Sequence, residues 1–321
     1  MTRADVRLQP LARRRLASLG DVGAAWLADL PALLDDLAAR WQLSLGRAMP
    51  GGSASYVVGA STASDEPRVL KVGLPGHSLA GEHRVLAAAE GQGYVRCFAY
   101  AHDEEALLLE QLGPSLEHTP MPPGAKLDRL VDTLRTAWAV TPADHEPPRG
   151  EAPGAARARE LHRLVTETDA RLPGACRADV RDLALEYAER RAADSSATSV
   201  VVHGDPHPAN ALKVRRPRPG SESGWCFVDP DGFACDPAYD LGVLLRGWTQ
   251  RLLAVPPEEA RLLLRRWCLR VVERSGLGLE AADGAWEWAF LERVSTGLHV
   301  TGFGAHEIGA TFLDSAAHLL D

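Results

Sequence analysis

The chain has 321 residues, 45% of them hydrophobic and 24% charged, so it can bury a sizeable core and is long enough for two lobes. Its formal net charge of -8 disfavours nucleic acid or an anionic membrane as a partner and leans toward a cationic one. The five cysteines, Cys97, Cys176, Cys226, Cys235 and Cys268, form no CxxC pair, and no run of about 18 apolar residues occurs; together these predict buried free thiols in a cytoplasmic protein that crosses no membrane.

Residues 21–43, "DVGAAWLADLPALLDDLAARWQL", carry apolar side chains at helical spacing, and Pro31 fits a first helical turn, so two helices divided there are expected. The texture then changes to "LSLGRAMPGGSASYVVGAS", small, Gly-rich and β-branched, followed by "PRVLKVGL", a short apolar run behind a proline. "LAGEHRVLAAAEGQG" reads as a helix closed by glycine, and "YVRCFAYAHDEEALLLEQL" as two strands around an acidic turn. That order predicts a small sheet with one helix. "GPSLEHTPMPPG", residues 113–124, reads as a hinge between residues 1–112 and 125–321. Helical patterning resumes to about residue 195, broken by "TPADHEPPRGEAPG", a surface loop; "NALKV" and "WCFVDP" around "RRPRPGSESG" predict a β-hairpin, and 238–321 is helical again. Trp26, Trp41, Trp248 and Trp267 sit at helical spacings and are expected in the core.

Chemistry concentrates in "VVHGDPHPANALKV", residues 201–214, where His203, Asp205, His207 and Asn210 fall just where a strand turns. Phosphoryl transfer needs a held nucleotide, Mg²⁺ to neutralise its phosphates, and a carboxylate to orient the attacking hydroxyl. Mg²⁺ takes hard oxygen ligands. Asp205 can orient the hydroxyl, Asn210 can offer its amide oxygen, and Asp229 at the end of the second hairpin strand can supply a carboxylate. A hairpin from 211 to 228 brings its ends together, so Asn210 and Asp229 should emerge side by side. The competing reading is a metallohydrolase: His203, Asp205 and His207 alternate onto one face of an extended segment and, with Asp229, could hold zinc or manganese. It has no HxH or HExxH pair, and it leaves Asn210 and Lys71 without roles. Only Lys71, Lys126 and Lys213 among 35 basic residues are lysine. Lys71, flanked by Val69, Leu70 and Val72, is therefore read as needed for its compact ammonium.

"HGDPHPAN", "FVDPDG" and "DPAYDLGVLLRGW" resemble the aminoglycoside phosphotransferase family, nearest its streptomycin 6-phosphotransferase and hydroxyurea kinase branch. "WLADLPALLDDLAARWQL", "LLLEQL" and "ERVSTGL" are the branch markers, and the resemblance touches residues from about 26 to 300. It implies an α+β, protein-kinase-like two-lobed fold: a small antiparallel sheet with one helix and N-terminal helices, then a mostly helical lobe containing the catalytic-loop hairpin. It implies Mg²⁺ and ATP, or GTP, as phosphoryl donor. By the same resemblance Asp205 is the catalytic base, Asn210 and Asp229 bind Mg²⁺, and Asp236 and Asp240 brace the loop, with His203 and His207 supporting it. Lys71 would hold the nucleotide phosphates with Glu82 as its ion-pair partner, Gly51, Gly52 and Ser53 would cover them, and the backbone of Glu110 and Leu112 would face the base. Two positions depart from the pattern. Pro206 stands where leucine is usual, and Asp231 adds a second carboxylate to the metal motif.

From residue 275 onward seven acidic side chains face one base, Arg293, with Trp286 and Trp288 among them. Glu287, Glu292 and Trp288 are accordingly expected to line the acceptor site and to attract a small cationic molecule, an aminoglycoside such as streptomycin. Hydroxyurea, a choline-like amine and other small alcohols remain open as acceptors, with the protein a monomer or dimer.

Overall fold

The computed structural model describes residues 8–49, 54–142, 150–195 and 198–321. After helices α1 (Pro10–Ser18) and α2 (Asp21–Arg40), strands β1 (Leu43–Ala48), β2 (Ser55–Thr62), β3 (Pro67–Gly73), β4 (Cys97–Ala101) and β5 (Ala106–Glu110) form one antiparallel sheet ordered β1-β2-β3-β5-β4. Successive strand residues point to opposite faces, and both faces are covered. Tyr56, Val58, Leu70 and Val72 pack on Leu30, Leu34 and Leu37 of α2. Val69, Leu107 and Leu109 pack the other way, with Leu79, Val85 and Leu86 at α3 (Ala80–Ala89). Lys71 shares the face of Val69 and pairs with Leu107, so its side chain is delivered beneath α3.

Pro31 does not divide the N-terminal helix: α2 runs unbroken through it. Proline removes the hydrogen bond to the carbonyl four residues back. That residue, Leu27, is exposed, so water can satisfy its carbonyl, while Leu30, Leu34 and Leu37 pin both halves to the sheet.

The remaining helices are α4 (Pro123–Ala137), α5 (Ala155–Arg171), α6 (Ala178–Ala193), α7 (Pro237–Arg246), α8 (Thr249–Leu253), α9 (Pro257–Ser275), α10 (Ala281–Gly302) and α11 (His306–His318). Helix α10 is buried almost around its whole circumference and packs on α7, α11, α6 and α5, so it is the axis of the helical lobe. It crosses α7 so closely that a Cβ on Gly242 would lie 2.4 Å from the Trp288 Cβ. Strands β7 (Ala211–Lys213) and β8 (Trp225–Phe227) form the expected hairpin, with Ala211 opposite Phe227. A second short pair, β6 (Val200–Val202) with β9 (Phe233–Cys235), frames the sequence between them. All five cysteines are free, and no helix among the described residues is long and apolar enough to cross a membrane.

Because Leu34 is wholly buried between α2 and the sheet, Leu34→Ala should lower unfolding free energy by about 2–5 kcal/mol in urea titrations. A loss under about 1 kcal/mol would mean that α2 is not integral to the sheet's core.

Candidate active site

Strand β6 ends at Val202 and the chain turns at once. Gly204 adopts φ +93°, where a Cβ would collide with the Asp231 side chain. The turn is held from below by Asp240 of α7. Its fully buried carboxylate accepts the His203 N–H at 2.8 Å, the Gly204 N–H at 2.9 Å and the Trp138 indole N–H at 2.8 Å. Burial pushes the Asp240 carboxyl up to about 6 even against these three donors. His203 is buried between Tyr94 and Phe227; its Nδ1 accepts the Asp205 N–H at 3.0 Å and its Nε2 donates to the Val228 carbonyl at 3.0 Å. Burial pulls the imidazole down to about 4, so it is neutral and its two nitrogens are fixed in opposite roles. With both nitrogens committed, His203 is not free to ligate a metal, and no group of three or more His, Cys, Asp or Glu able to hold one occurs among the described residues, which corrects the geometry behind the metallohydrolase reading.

Asp205 projects from this turn with its side chain about 35% exposed, Oδ2 lying 3.3 Å from His207 Nε2. Its Oδ1 is gripped by Arg246 at the end of α7. Burial alone would raise this carboxyl, but the Arg246 guanidinium, helped by His207, overrides it and holds Asp205 well below the usual carboxylate range. Asn210 donates its Nδ2 to the Asp205 carbonyl at 3.0 Å, which turns its amide oxygen away from the loop. The Val228 N–H closes on the Asn210 carbonyl at 3.0 Å, so the hairpin does bring Asn210 beside Asp229. An amide oxygen and a carboxylate are the donor set a hard divalent cation takes.

Lys71 arrives from the sheet. Its Nζ, on a side chain 4% exposed, lies 2.5 Å from Glu82 Oε2 and 2.7 Å from Asp229 Oδ1. Burial opposes its charge, yet the Asp229 and Glu82 carboxylates raise it above the ordinary lysine value. Burial lifts Glu82 to about 7 against the pull of Lys71, whereas Lys71 keeps Asp229 lowered despite its surroundings. Asp231 reaches solvent above Gly204; surrounding protein and then the Asp205 charge push it up to about 6.

The hinge segment is bound to the hairpin. The Gly113 N–H donates to the Lys213 carbonyl at 2.7 Å and the Lys213 N–H to the Pro114 carbonyl at 3.0 Å. Arg215 Nε reaches the Leu112 carbonyl at 3.3 Å. The Glu110 N–H is taken by the Arg96 carbonyl and its side chain by Arg218, at 2.9 and 2.8 Å. A cavity of 480 Å³ lined by Met49, Gly59 and Gln111, among others, opens beside this hinge.

Several expectations need correction. Asp236 does not reach the loop: it caps α7 through the Ala238 N–H at 2.8 Å and accepts the Trp288 indole N–H at 3.2 Å. Trp288 is wholly buried, so it lines no open acceptor wall. Glu287 is neutralised by Arg190 at 3.1 Å and Arg191 at 2.7 Å, and Glu292 by Arg157 and Arg246, both at 3.0 Å. Both are buried, because helix α10 turns them into the lobe instead of outward. Gly51, Gly52 and Ser53 lie outside the described residues. The sequence reading passed over Arg246, Trp138 and Arg157. Arg246 was visible in "DLGVLLRG" as the one charge ending an apolar helix, but nothing local says which carboxylate it meets.

A five-stranded antiparallel sheet covered by α2 on one face and α3 on the other, set on a helical lobe that carries the 203–229 loop and hairpin, is the protein-kinase-like fold of small-molecule kinases. Plasmodium vivax ethanolamine kinase matches it with a TM-score of 0.61 at 12% identity, over 98% of this chain and 98% of that one. Choline kinase LicA from Streptococcus pneumoniae matches with a TM-score of 0.59 at 15% identity, over 90% of this chain and 98% of that one. The family model for aminoglycoside/hydroxyurea antibiotic resistance kinase matches residues 40–275. The chain is also similar to a streptomycin 6-kinase of Streptomyces glaucescens, 28% identical over 285 residues, which cover 86% of this chain and 85% of that protein. It belongs to the aminoglycoside/hydroxyurea antibiotic resistance kinase family, and it is a phosphotransferase acting on a hydroxyl group.

His203 ties the pH dependence of stability to the loop. Unfolded, a histidine binds its proton below about 6.5; folded, His203 resists until about 4. Between those values the unfolded state holds more protons, so stability falls as pH drops through the window, by on the order of 3 kcal/mol in full. Urea titrations from pH 7 to 4 should show a shallower fall in His203→Gln than in wild type. Parallel curves would mean that His203 takes up its proton as readily in the native state as in the unfolded chain.

Proposed function

We propose that this protein is an ATP-dependent O-phosphotransferase whose acceptor is a small cationic molecule, an aminoglycoside of the streptomycin type, and that it works in the cytoplasm. The observation that carries this is the meeting of an ionised, solvent-reaching Asp205 with Asn210 and the Lys71–Asp229 pair at the two ends of one hairpin. Asp205 accepts or orients the acceptor hydroxyl's proton. Lys71, held by Glu82, contacts the nucleotide phosphates, and the hinge backbone at Glu110 and Leu112 borders the base, dividing a nucleotide lobe (1–112) from an acceptor lobe (125–321) at residues 113–124. Asn210 and Asp229 would hold Mg²⁺, which supplies charge neutralisation on the phosphates. Phosphorylation adds roughly two negative charges to a ligand recognised by its cations, and that is inactivating chemistry for an antibiotic. The similarity to a streptomycin 6-kinase supports this acceptor class.

One observation favours a second reading within the same chemistry. The carboxylates of α10 are consumed by arginines, so the acceptor site holds fewer free acids than the sequence suggests. A smaller acceptor such as hydroxyurea or a choline-like amine then fits as well.

ADP release should be followed with Mg-ATP, and with Mg-GTP, against streptomycin, kanamycin, hygromycin, hydroxyurea and choline. Turnover stimulated by streptomycin supports the reading; stimulation by hydroxyurea or choline alone selects the second. Asp205→Asn should lower kcat by about 10²–10⁴-fold with nucleotide affinity kept. Lys71→Ala should instead weaken binding of the nucleotide. Full activity in Asp205→Asn would remove this loop from the reaction.

A further inference from the structure

We infer that Glu292 and Arg293, neighbours on α10, are positioning residues that hold Arg246 by its side chain and by its backbone, and through it fix the rotamer of Asp205. The inference rests on the reading of Asp205 as the residue that addresses the acceptor hydroxyl.

The geometry is one-sided. Arg246 takes Oδ1 of Asp205 from inside the lobe, while Oδ2 faces the half-exposed side where His207 lies at 3.3 Å. An attacking hydroxyl therefore meets Oδ2, and the angle at which it is presented depends on where Arg246 sits. Arg246 is placed by two contacts. Its Nη1 donates to Glu292 Oε2 at 3.0 Å. The other oxygen of that carboxylate, Oε1, accepts Tyr239 Oη at 2.5 Å and Arg157 Nη2 at 3.0 Å, so Glu292 is itself oriented and Oε2 is left for Arg246. Tyr239 and Arg246 lie seven residues apart on α7 and so share one stripe of it; both meet Glu292. The second contact comes from Arg293, 0% exposed, whose Nη2 donates to the Leu245 and Arg246 carbonyls at 3.2 and 3.3 Å. These are carbonyls of the last turn of α7, which no helical N–H satisfies and where a cation is favoured.

Burying a charge costs several kcal/mol, and apolar residues would hold α7 against α10 at least as well. Here two adjacent buried charges of opposite sign converge on the last residue of one helix, and Arg157 and Tyr239 orient one of them. Burial lowers Arg293 to about 10, so it stays charged at neutral pH. Simple packing of α7 on α10 does not account for ionic groups aimed at Arg246; placement of Arg246, the residue that grips Asp205, does.

The test is steady-state kinetics with Mg-ATP and streptomycin on wild type, Asp205→Asn, Arg246→Gln, Glu292→Gln and the double variant Arg246→Gln/Glu292→Gln. Glu292→Gln keeps the side chain's shape and removes its charge. Arg246→Gln and Glu292→Gln should each lower kcat about 10- to 100-fold, the scale of a reacting group displaced by roughly 1 Å. The KM for ATP should stay within about twofold, and the double variant should be no slower than Arg246→Gln alone. Multiplying losses in the double variant, or a KM for ATP rising in step with the loss in kcat, would overturn the relay and leave Glu292 a general stabiliser. Full turnover in Asp205→Asn would instead remove the reading of Asp205 itself. A crystal structure of Glu292→Gln gives a readout independent of acceptor: Arg246 is expected off Asp205 with the Asp205 side chain rotated, and an unchanged Arg246–Asp205 pair would overturn the inference.

Discussion

Everything at the candidate site hangs from one buried carboxylate. The segment from His203 to Asn210 belongs to no sheet, so no strand ladder fixes it, and its shape comes from Asp240 beneath it. Two backbone N–H groups of the loop and the Trp138 indole N–H converge on that side chain. Such charge-assisted bonds are stronger than neutral ones and costly to leave unmade in a buried place. Asp240 lies in the first turn of α7, and α7 is capped by Asp236 and pressed against α10 at Gly242. The loop is therefore tied to a closely packed helix pair.

The two halves of the site come from different lobes, and electrostatics joins them. Lys71 stands on a strand of the sheet, Glu82 on the helix over it, and Asp229 at the mouth of the hairpin; one ammonium touches both carboxylates. The hairpin adds a second tie through Arg218, which sits against the Gly91 and Tyr94 carbonyls and the Glu110 carboxylate. The two cationic side chains are themselves buried while Asp229 and Glu110 are partly exposed, so these contacts are screened less than surface ion pairs. The placement of Lys71 against Asp229 is thus an outcome of sheet register and hairpin pairing together.

Much of this was readable in advance. The short apolar run in "PRVLKVGL" marks a strand that carries Lys71 between Val69, Leu70 and Val72, and the hairpin flanked by Asn210 and Asp229 follows from two apolar runs around a polar tip. What the sequence did not disclose is pairing between distant segments. Glu292 looked like part of an acidic wall because a helix's charge content does not say which way the helix is rolled; packing turns it inward onto Arg157 and Arg246. Pro31 looked like a boundary because its local cost is real, and tertiary packing of Leu30, Leu34 and Leu37 outweighs it. The β6–β9 pair escaped notice because strands of three residues show no periodicity to read.

The chain's bias toward arginine also has a structural reading. Where a partly buried cation must bridge several acceptors at fixed angles, the protein uses arginine: Arg157, Arg191, Arg218 and Arg246 each meet two or more partners with a planar fork. At residue 71 it uses lysine. An ammonium offers three donors on one nitrogen rather than five spread over a plane. Two of the three are taken by Glu82 and Asp229, and both contacts spring from one compact nitrogen. The one lysine buried between acids is thus the position in this fold where the difference between the two side chains carries chemical weight.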